Sequence, residues 1–144
     1  MRFWDSYAIV PLLVRQPATK VLERLLNADS AMLVWWGTPV ECVSALARIE
    51  REQSLPPNDV GMALKRLDSL AQSWHEIQAH ANVRTASGRL LRVHPLRAAD
   101  ALQLAAALEV IGTTGDAFVC LDKRLGDAAA REGLTVIDEV AGAR

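Results

Sequence analysis

The sequence predicts an α/β domain in which helices cover both faces of a parallel sheet. Short apolar segments of strand length alternate along the chain with longer segments of helical periodicity. Hydrophobic residues make up 51% of the chain and charged residues 23%, which is a globular composition and excludes a disordered chain. The length of 144 residues suits one domain, and no linker-like change in composition divides it, so residues 1–144 are predicted to form a single domain.

Five apolar segments are predicted to be strands. Residues 31–36 form a continuous apolar run that ends at Gly37, as expected for a strand buried on both faces. Residues 117–121 are the clearest buried strand, and Asp122 ends it. In chain order, the predicted strands are 1–5, 31–36, 74–77, 117–121 and 134–137.

The segments between these strands are predicted to be helical. Thr38 and Glu41 have the spacing of a capping box, with a proline at the first helical position, and they predict a helix that begins there. Pro56 and Pro57 break that helix, and Gly133 closes the last one. In chain order, the helical segments are 6–14 (a helix or an irregular turn), 21–26, 38–52, 58–71, 79–93, 95–108 and 123–132.

Charge and cysteine content exclude several classes of protein. Sixteen basic and 17 acidic residues give a net charge of -1, which argues against a generally basic nucleic-acid binder but allows local polarity. Two cysteines, Cys42 and Cys120, are too few for a disulfide scaffold or a cysteine-based zinc site. No signal peptide and no apolar run of membrane-spanning length is evident, so a soluble cytoplasmic protein is expected.

Four acids occupy positions where α/β sheets bind ligands. Asp5 and Asp122 each end a predicted strand, Glu41 lies in the first turn of a helix that follows a strand, and Asp100 lies in an otherwise apolar helix. Because the carboxyl ends of parallel strands share one edge, all four are expected to face that edge. Each also has a structural explanation: Asp5 and Asp122 as helix caps, Glu41 as part of the capping box, and Asp100 as a partner of Arg97.

Convergence of four carboxylates would call for a cation. Two unit charges 4 Å apart repel by about 1 kcal/mol in water and by about 4 kcal/mol at an effective dielectric of 20. Carboxylate oxygens without nearby histidine or cysteine suit Mg²⁺, or Mn²⁺, rather than zinc. A metal held this way in an open cleft suits phosphodiester hydrolysis, because it can activate a water and offset charge on the leaving oxygen.

Four motifs together resemble a known family. They are Asp5-Ser6, Thr38-x-x-Glu41, Leu96-Arg-Ala-Ala-Asp100-Ala-Leu-Gln-Leu-Ala and Phe118-Val-Cys-Leu-Asp122-Lys-Arg-Leu. The sequence resembles PIN domains from residue 2 to about residue 138, and among them the VapC-type ribonuclease toxins of bacterial toxin–antitoxin pairs. The resemblance implies a three-layer PIN-like fold with a sheet of about five parallel strands. It also implies a Mg²⁺-dependent endoribonuclease that is the toxin component of a type II pair.

The resemblance also assigns roles to individual residues. Asp5, Glu41, Asp100 and Asp122 would form the catalytic acidic cluster, with Asp5 and Asp100 as the principal metal ligands. Asp122 and Glu41 would ligate directly or through water. Ser6 and Thr38 match small hydroxyl positions that would donate hydrogen bonds to the carboxylates. The implied partners are an RNA substrate, a cognate antitoxin protein and a second copy of the chain.

A basic stretch lies inside the nearly neutral chain. Residues 77–99 contain no acid and carry a local charge of +4 from Arg84, Arg89, Arg92 and Arg97. These arginines are candidates for contact with RNA phosphates, with a solvated helix face as the alternative. Lys123 and Arg124, just after Asp122, are further candidates.

Other functions remain open from the residues alone. A PIN-fold nuclease of RNA processing would need the same acids without a toxin role, and a protein-binding module could keep the fold without catalysis. A phosphatase with an aspartyl nucleophile at Asp5 is disfavoured, because such enzymes usually carry a second aspartate two residues later and position 7 is tyrosine.

Overall fold

The computed structural model describes residues 1–52 and 55–138, which contain a five-stranded sheet and seven helices. The strands are β1 (Arg2–Trp4), β2 (Met32–Trp35), β3 (His75–Ile77), β4 (Ala117–Val119) and β5 (Thr135–Ile137). The helices are α1 (Ser6–Leu13), α2 (Thr19–Ala28), α3 (Thr38–Arg51), α4 (Pro57–Ala71), α5 (Ala81–Val93), α6 (Ala98–Ile111) and α7 (Lys123–Arg131).

The sheet has the order β3-β2-β1-β4-β5, and all of its neighbouring strands are parallel. Strands β2 and β3 therefore lie on one side of β1, and β4 and β5 lie on the other side. A crevice opens beside the carboxyl ends of the strands where the strand order reverses in this way, next to β1 and β4. The predicted parallel sheet with helices on both faces is confirmed.

Two apolar cores lie on opposite faces of the sheet because successive strand residues point to opposite sides. Phe3 and Phe118 lie in the core under α5, α6 and α7, where their rings meet edge to face at 5.5 Å. Trp4 and Val119 lie in the other core, under α1 to α4. The fold is therefore the three-layer α/β arrangement that the sequence predicted.

Some boundaries differ from those predicted. Gly37 occupies the N-cap position of α3 and no side chain caps that helix, so the prediction of a capping box at Thr38 was wrong. Helix α6 begins at Ala98 rather than at Pro95. No helix within residues 1–52 and 55–138 is long and apolar enough to cross a membrane.

Helix α6 lies in the centre of one layer, and its packing can be tested. Leu104 has 0% exposure there. We expect Leu104→Ala to lower the free energy of unfolding by about 2–5 kcal/mol, because truncation leaves a cavity that the core cannot refill. Leu91→Ala is the matched control, since Leu91 is exposed on α5. Urea unfolding checks both variants, and an equal effect of the two substitutions would contradict this packing.

Candidate active site at the carboxyl edge of the sheet

All four predicted acids lie beside the carboxyl edge of the sheet, each at the N-terminal end of a helix. Asp5 follows β1 directly, and its backbone N–H donates to the carbonyl of Val119 at 3.0 Å, which anchors it beside β4. Asp122 caps α7 and accepts from the backbone N–H of Leu125 at 2.9 Å. The remaining two acids lie in first helical turns, Glu41 in α3 and Asp100 in α6.

These helix ends surround one open cleft of about 500 Å³. Its lining combines three of the acids with basic residues and one aromatic ring: Tyr7, Glu41, Arg97, Ala99, Asp100, Asp122, Lys123 and Arg124. The fourth acid, Asp5, is buried, with 1% of its surface exposed. It lies close enough to the other three acids for their charges to raise its pKa. The structure therefore brings the four carboxylates together.

The pKa of Asp5 is strongly raised. Burial, followed by the charges of Glu41, Asp100 and Asp122, raises the pKa of Asp5 to about 8. Its Oδ2 atom is buried and has no hydrogen-bond partner within the described part of the chain. A buried carboxylate oxygen without a donor is costly, so this atom suits a cation or a retained proton.

The pKa values of Glu41 and Asp100, which line the cleft, are raised as well. Burial raises the pKa of Glu41 to about 7, with a smaller contribution from Asp100, while hydrogen bonds from Gln103 and Ser6 act against it. Burial also raises the pKa of Asp100, and the charge of Asp122 adds to this effect. A pKa of about 7 suits Glu41 to an acid–base role near neutral pH, as in active sites.

A buried glutamine connects three of the site residues. The Nε2 group of Gln103 donates to Oε2 of Glu41 at 2.8 Å, and lies 3.3 Å from the hydroxyl oxygens of both Ser6 and Thr38. Gln103 has 0% exposure, and its Oε1 atom has no partner among the described residues. Ser6 and Thr38 therefore lie beside the acids as predicted, but the amide of Gln103 is their common partner.

The predicted RNA-binding residues divide into two groups. Arg97 and Lys123 line the cleft, and Arg124 lies beside them. Arg89 instead binds Glu132, which follows α7, with an N–O distance of 2.6 Å. Arg84 and Arg92 are not among the residues that line the cleft. RNA contact by these three α5 arginines therefore stays a prediction.

The donor set suits a hard divalent cation. Within residues 1–52 and 55–138, no three acidic, histidine or cysteine side chains are grouped closely enough to hold a metal ion in their present positions. The cleft nevertheless presents carboxylate oxygens without histidine, and the unpartnered Oδ2 of Asp5 lies among their charges. These residues fit Mg²⁺ or Mn²⁺ better than a softer metal.

Comparison with known proteins gives sequence relatives along nearly the whole chain. No family model matches. Ribonuclease VapC45 and Ribonuclease VapC49, from two strains of Mycobacterium tuberculosis, are each 29% identical over 134 residues. That alignment covers 93% of this chain and 92% of each relative. The chain is therefore similar in sequence to two ribonucleases that carry the name VapC.

The predicted resemblance to VapC-type proteins is thus confirmed, and a solved structure supports the fold. The crystal structure of FitAcB from Neisseria gonorrhoeae matches with a TM-score of 0.65 over 95% of this chain and 96% of that one. Its sequence identity is 17%, so this likeness concerns the fold alone.

Sequence reasoning missed two residues of this site. Gln103 lies within the quoted Asp100 motif, but its role depends on contacts with residues 62 and more positions away. Tyr7 lines the cleft at 42% exposure, with the guanidinium of Arg48 placed 6.0 Å from its ring centroid. An aromatic residue directly after the Asp5-Ser6 pair was the available signal, because α1 starts at the cleft.

Replacing Asp5 tests the electrostatic strain directly. Because the pKa of Asp5 is raised on folding, the folded state keeps a proton that the unfolded chain releases, and stability falls as the pH rises from about 4 to 8. Asp5→Asn removes this loss. We expect the variant to be more stable than wild type by about 2–4 kcal/mol at pH 8 in chelator, with a much smaller difference at pH 4.5.

Urea unfolding at the two pH values measures this effect, and Asp68→Asn on the exposed side of α4 is the matched control. A stability difference that is the same at both pH values would show that Asp5 is not titrating under strain. Adding Mg²⁺ at pH 8 should narrow the gap, because a cation stabilises the wild-type carboxylate.

Proposed function

We propose that this protein is a Mg²⁺-dependent endoribonuclease and the toxin component of a type II toxin–antitoxin pair. The observation that carries the proposal is a cleft lined by three carboxylates, with the buried carboxylate of Asp5 within range of their charges and one Asp5 oxygen that has no donor among the described residues. The names of the two sequence relatives, which are ribonucleases, support the choice of RNA phosphodiesters as the substrate.

Asp5, Asp100 and Asp122 are the residues proposed to hold the metal, with Mn²⁺ as a possible substitute for Mg²⁺. When bound, such a cation lowers the pKa of a water and offsets the charge on the leaving oxygen. Asp100 and Asp122 line the cleft at the N-terminal ends of α6 and α7, and the buried Asp5 lies within range of their charges.

Glu41 is the residue proposed to take the proton from the attacking water. A general base works best with a pKa near the working pH, and the pKa of Glu41 is raised to about 7. Gln103 fixes one oxygen of this carboxylate at 2.8 Å and so limits its orientation. Arg97 and Arg124, which line the same cleft, can offset the charge that develops on the phosphate.

The proposed toxin role requires an antitoxin. A separate groove of about 420 Å³ lies between α1, α2 and α4, and its apolar side chains are Leu12, Leu26, Met62 and Leu70. An amphipathic antitoxin helix is suited to cover such a groove. A homodimer is proposed from the family resemblance.

Substitution of Asp100 tests the proposed activity. Asp100→Asn keeps the shape of the side chain and removes its charge, so we expect cleavage of cellular RNA to fall by at least about 100-fold. Sequencing of RNA ends after expression of the protein alone measures the cleavage and identifies the substrate. Growth of the same cells reports the toxin role.

Asp68→Asn on α4 serves as the matched control and should cleave like wild type. Wild-type cleavage by the Asp100→Asn protein would contradict the proposed nuclease. RNA cleavage without growth arrest would instead favour a role in RNA processing over a toxin.

Gln103 is proposed as a positioning residue for Glu41. Gln103→Met keeps the volume in the core and removes the amide donor, so we expect a fall in kcat of about 10- to 100-fold with little change in KM. Gln103→Glu also removes the amide donor and adds a fifth acid, so its kcat should be no higher than that of Gln103→Met. A matched change at the neighbouring, less buried Leu102→Met should leave kcat unchanged. Equal kcat values for Gln103→Met and wild type would contradict the positioning role.

A further inference from the structure

A small basic depression of about 100 Å³ lies beside the cleft and is not part of the acidic site. Its lining comes from α7 and from the turn before α6: His94, Pro95, Arg124, Asp127, Ala128 and Arg131. Arg124 also lines the acidic cleft, so the two cavities are adjacent across this one side chain. A strand that leaves the cleft past Arg124 would enter the depression.

One face of α7 forms the wall of this path. Arg124, Ala128 and Arg131 are spaced as neighbours along that face, and both arginines are exposed while Ala128 is buried. Arg124 and Arg131 are two helical turns apart, or about 11 Å. A stacked strand rises about 3.4 Å per nucleotide, so this distance spans about three nucleotides.

The acids around the depression are already paired with cations. Glu132 binds Arg89 at 2.6 Å and His94 at 2.7 Å, and this pairing lowers the pKa of Glu132. Asp127 pairs with Lys123 at 3.2 Å. Neither Arg124 nor Arg131 forms an ion pair with a described residue, so both guanidinium groups can pair with an anionic ligand.

We propose that Arg124 and Arg131 bind phosphates of the RNA strand next to the scissile bond, so that the strand leaves the cleft along α7. This inference rests on the proposed ribonuclease function and adds a path for the substrate. Arg131 lies outside the cleft lining and serves only to bind the flanking strand. The path uses α7 arginines, whereas Arg89 of the basic α5 stretch is held by Glu132.

Substrate length separates this role from a structural one. The probes are a fluorescein-labelled 20-nucleotide RNA that contains a cleaved sequence, and the same sequence shortened to two nucleotides on each side of the scissile bond. We expect Arg131→Ala to raise KM for the long RNA about fivefold and to leave kcat and the short RNA unaffected. In chelator, the salt dependence of binding to the long RNA should become shallower by about 0.7, which corresponds to one lost phosphate contact on a single strand.

Two variants serve as controls. Arg131→Lys keeps the charge and should restore most of the affinity. Arg24→Ala removes an exposed arginine from α2, in the layer on the other face of the sheet, and should change neither KM nor the salt dependence.

Two results would overturn the inference. One is wild-type KM and salt dependence for Arg131→Ala on the long RNA. The other is an equal loss on the long and short substrates, as expected if Arg131 only stabilises the C-terminal end of α7. If the wild-type protein binds the long RNA but does not cut it, the proposed nuclease function fails, and the binding measurements still decide the α7 path.

Discussion

The structure depends on keeping a buried acid beside three others at the point where the sheet reverses its strand order. Asp5 must follow β1 directly, because its backbone N–H completes the contact with β4. That position buries its carboxylate among like charges and raises its pKa to about 8. Without a bound cation, ionisation of Asp5 near pH 8 therefore lowers the free energy of unfolding. Binding of a cation is favoured at such a site, because the cation stabilises the ionised form of the buried carboxylate.

The backbone supplies part of the compensation. Asp5 precedes α1, Asp122 caps α7, and Glu41 and Asp100 lie in the first turns of α3 and α6. Helix N-termini carry partial positive charge and stabilise nearby carboxylates by about 0.3–1 kcal/mol each. This contribution is smaller than the cost of burying the ionised carboxylate of Asp5. The helix ends therefore offset only part of that cost, and a bound cation could offset the rest. The same geometry explains how a residue such as Asp122 can cap a helix and still face the cleft.

The sequence predicted those parts of the site that local structure determines. An acid at the end of a parallel strand or in a first helical turn faces the ligand edge whatever else the chain does, so all four acids could be placed. Contacts between distant elements could not be placed. Gln103 reaches Glu41 across 62 positions, and Glu132 engages Arg89 across 43. A run of arginines on α5 therefore predicted basic character correctly but could not show which of them a carboxylate elsewhere already binds.

The cleft combines acids with arginines, and no ion pair joins them within the described residues. Arg97 and Arg124 lie close enough to act against the raised pKa of Asp100, yet neither forms an ion pair with a described carboxylate. If they paired with the acids, the cleft would lose both its affinity for a cation and its attraction for a phosphate. Arg97 is the N-cap residue of α6 and Arg124 lies in the first turn of α7, so each arginine lies on the same helix end as one of the acids, Asp100 or Asp122. The same cleft can therefore attract both a cation and a phosphate group.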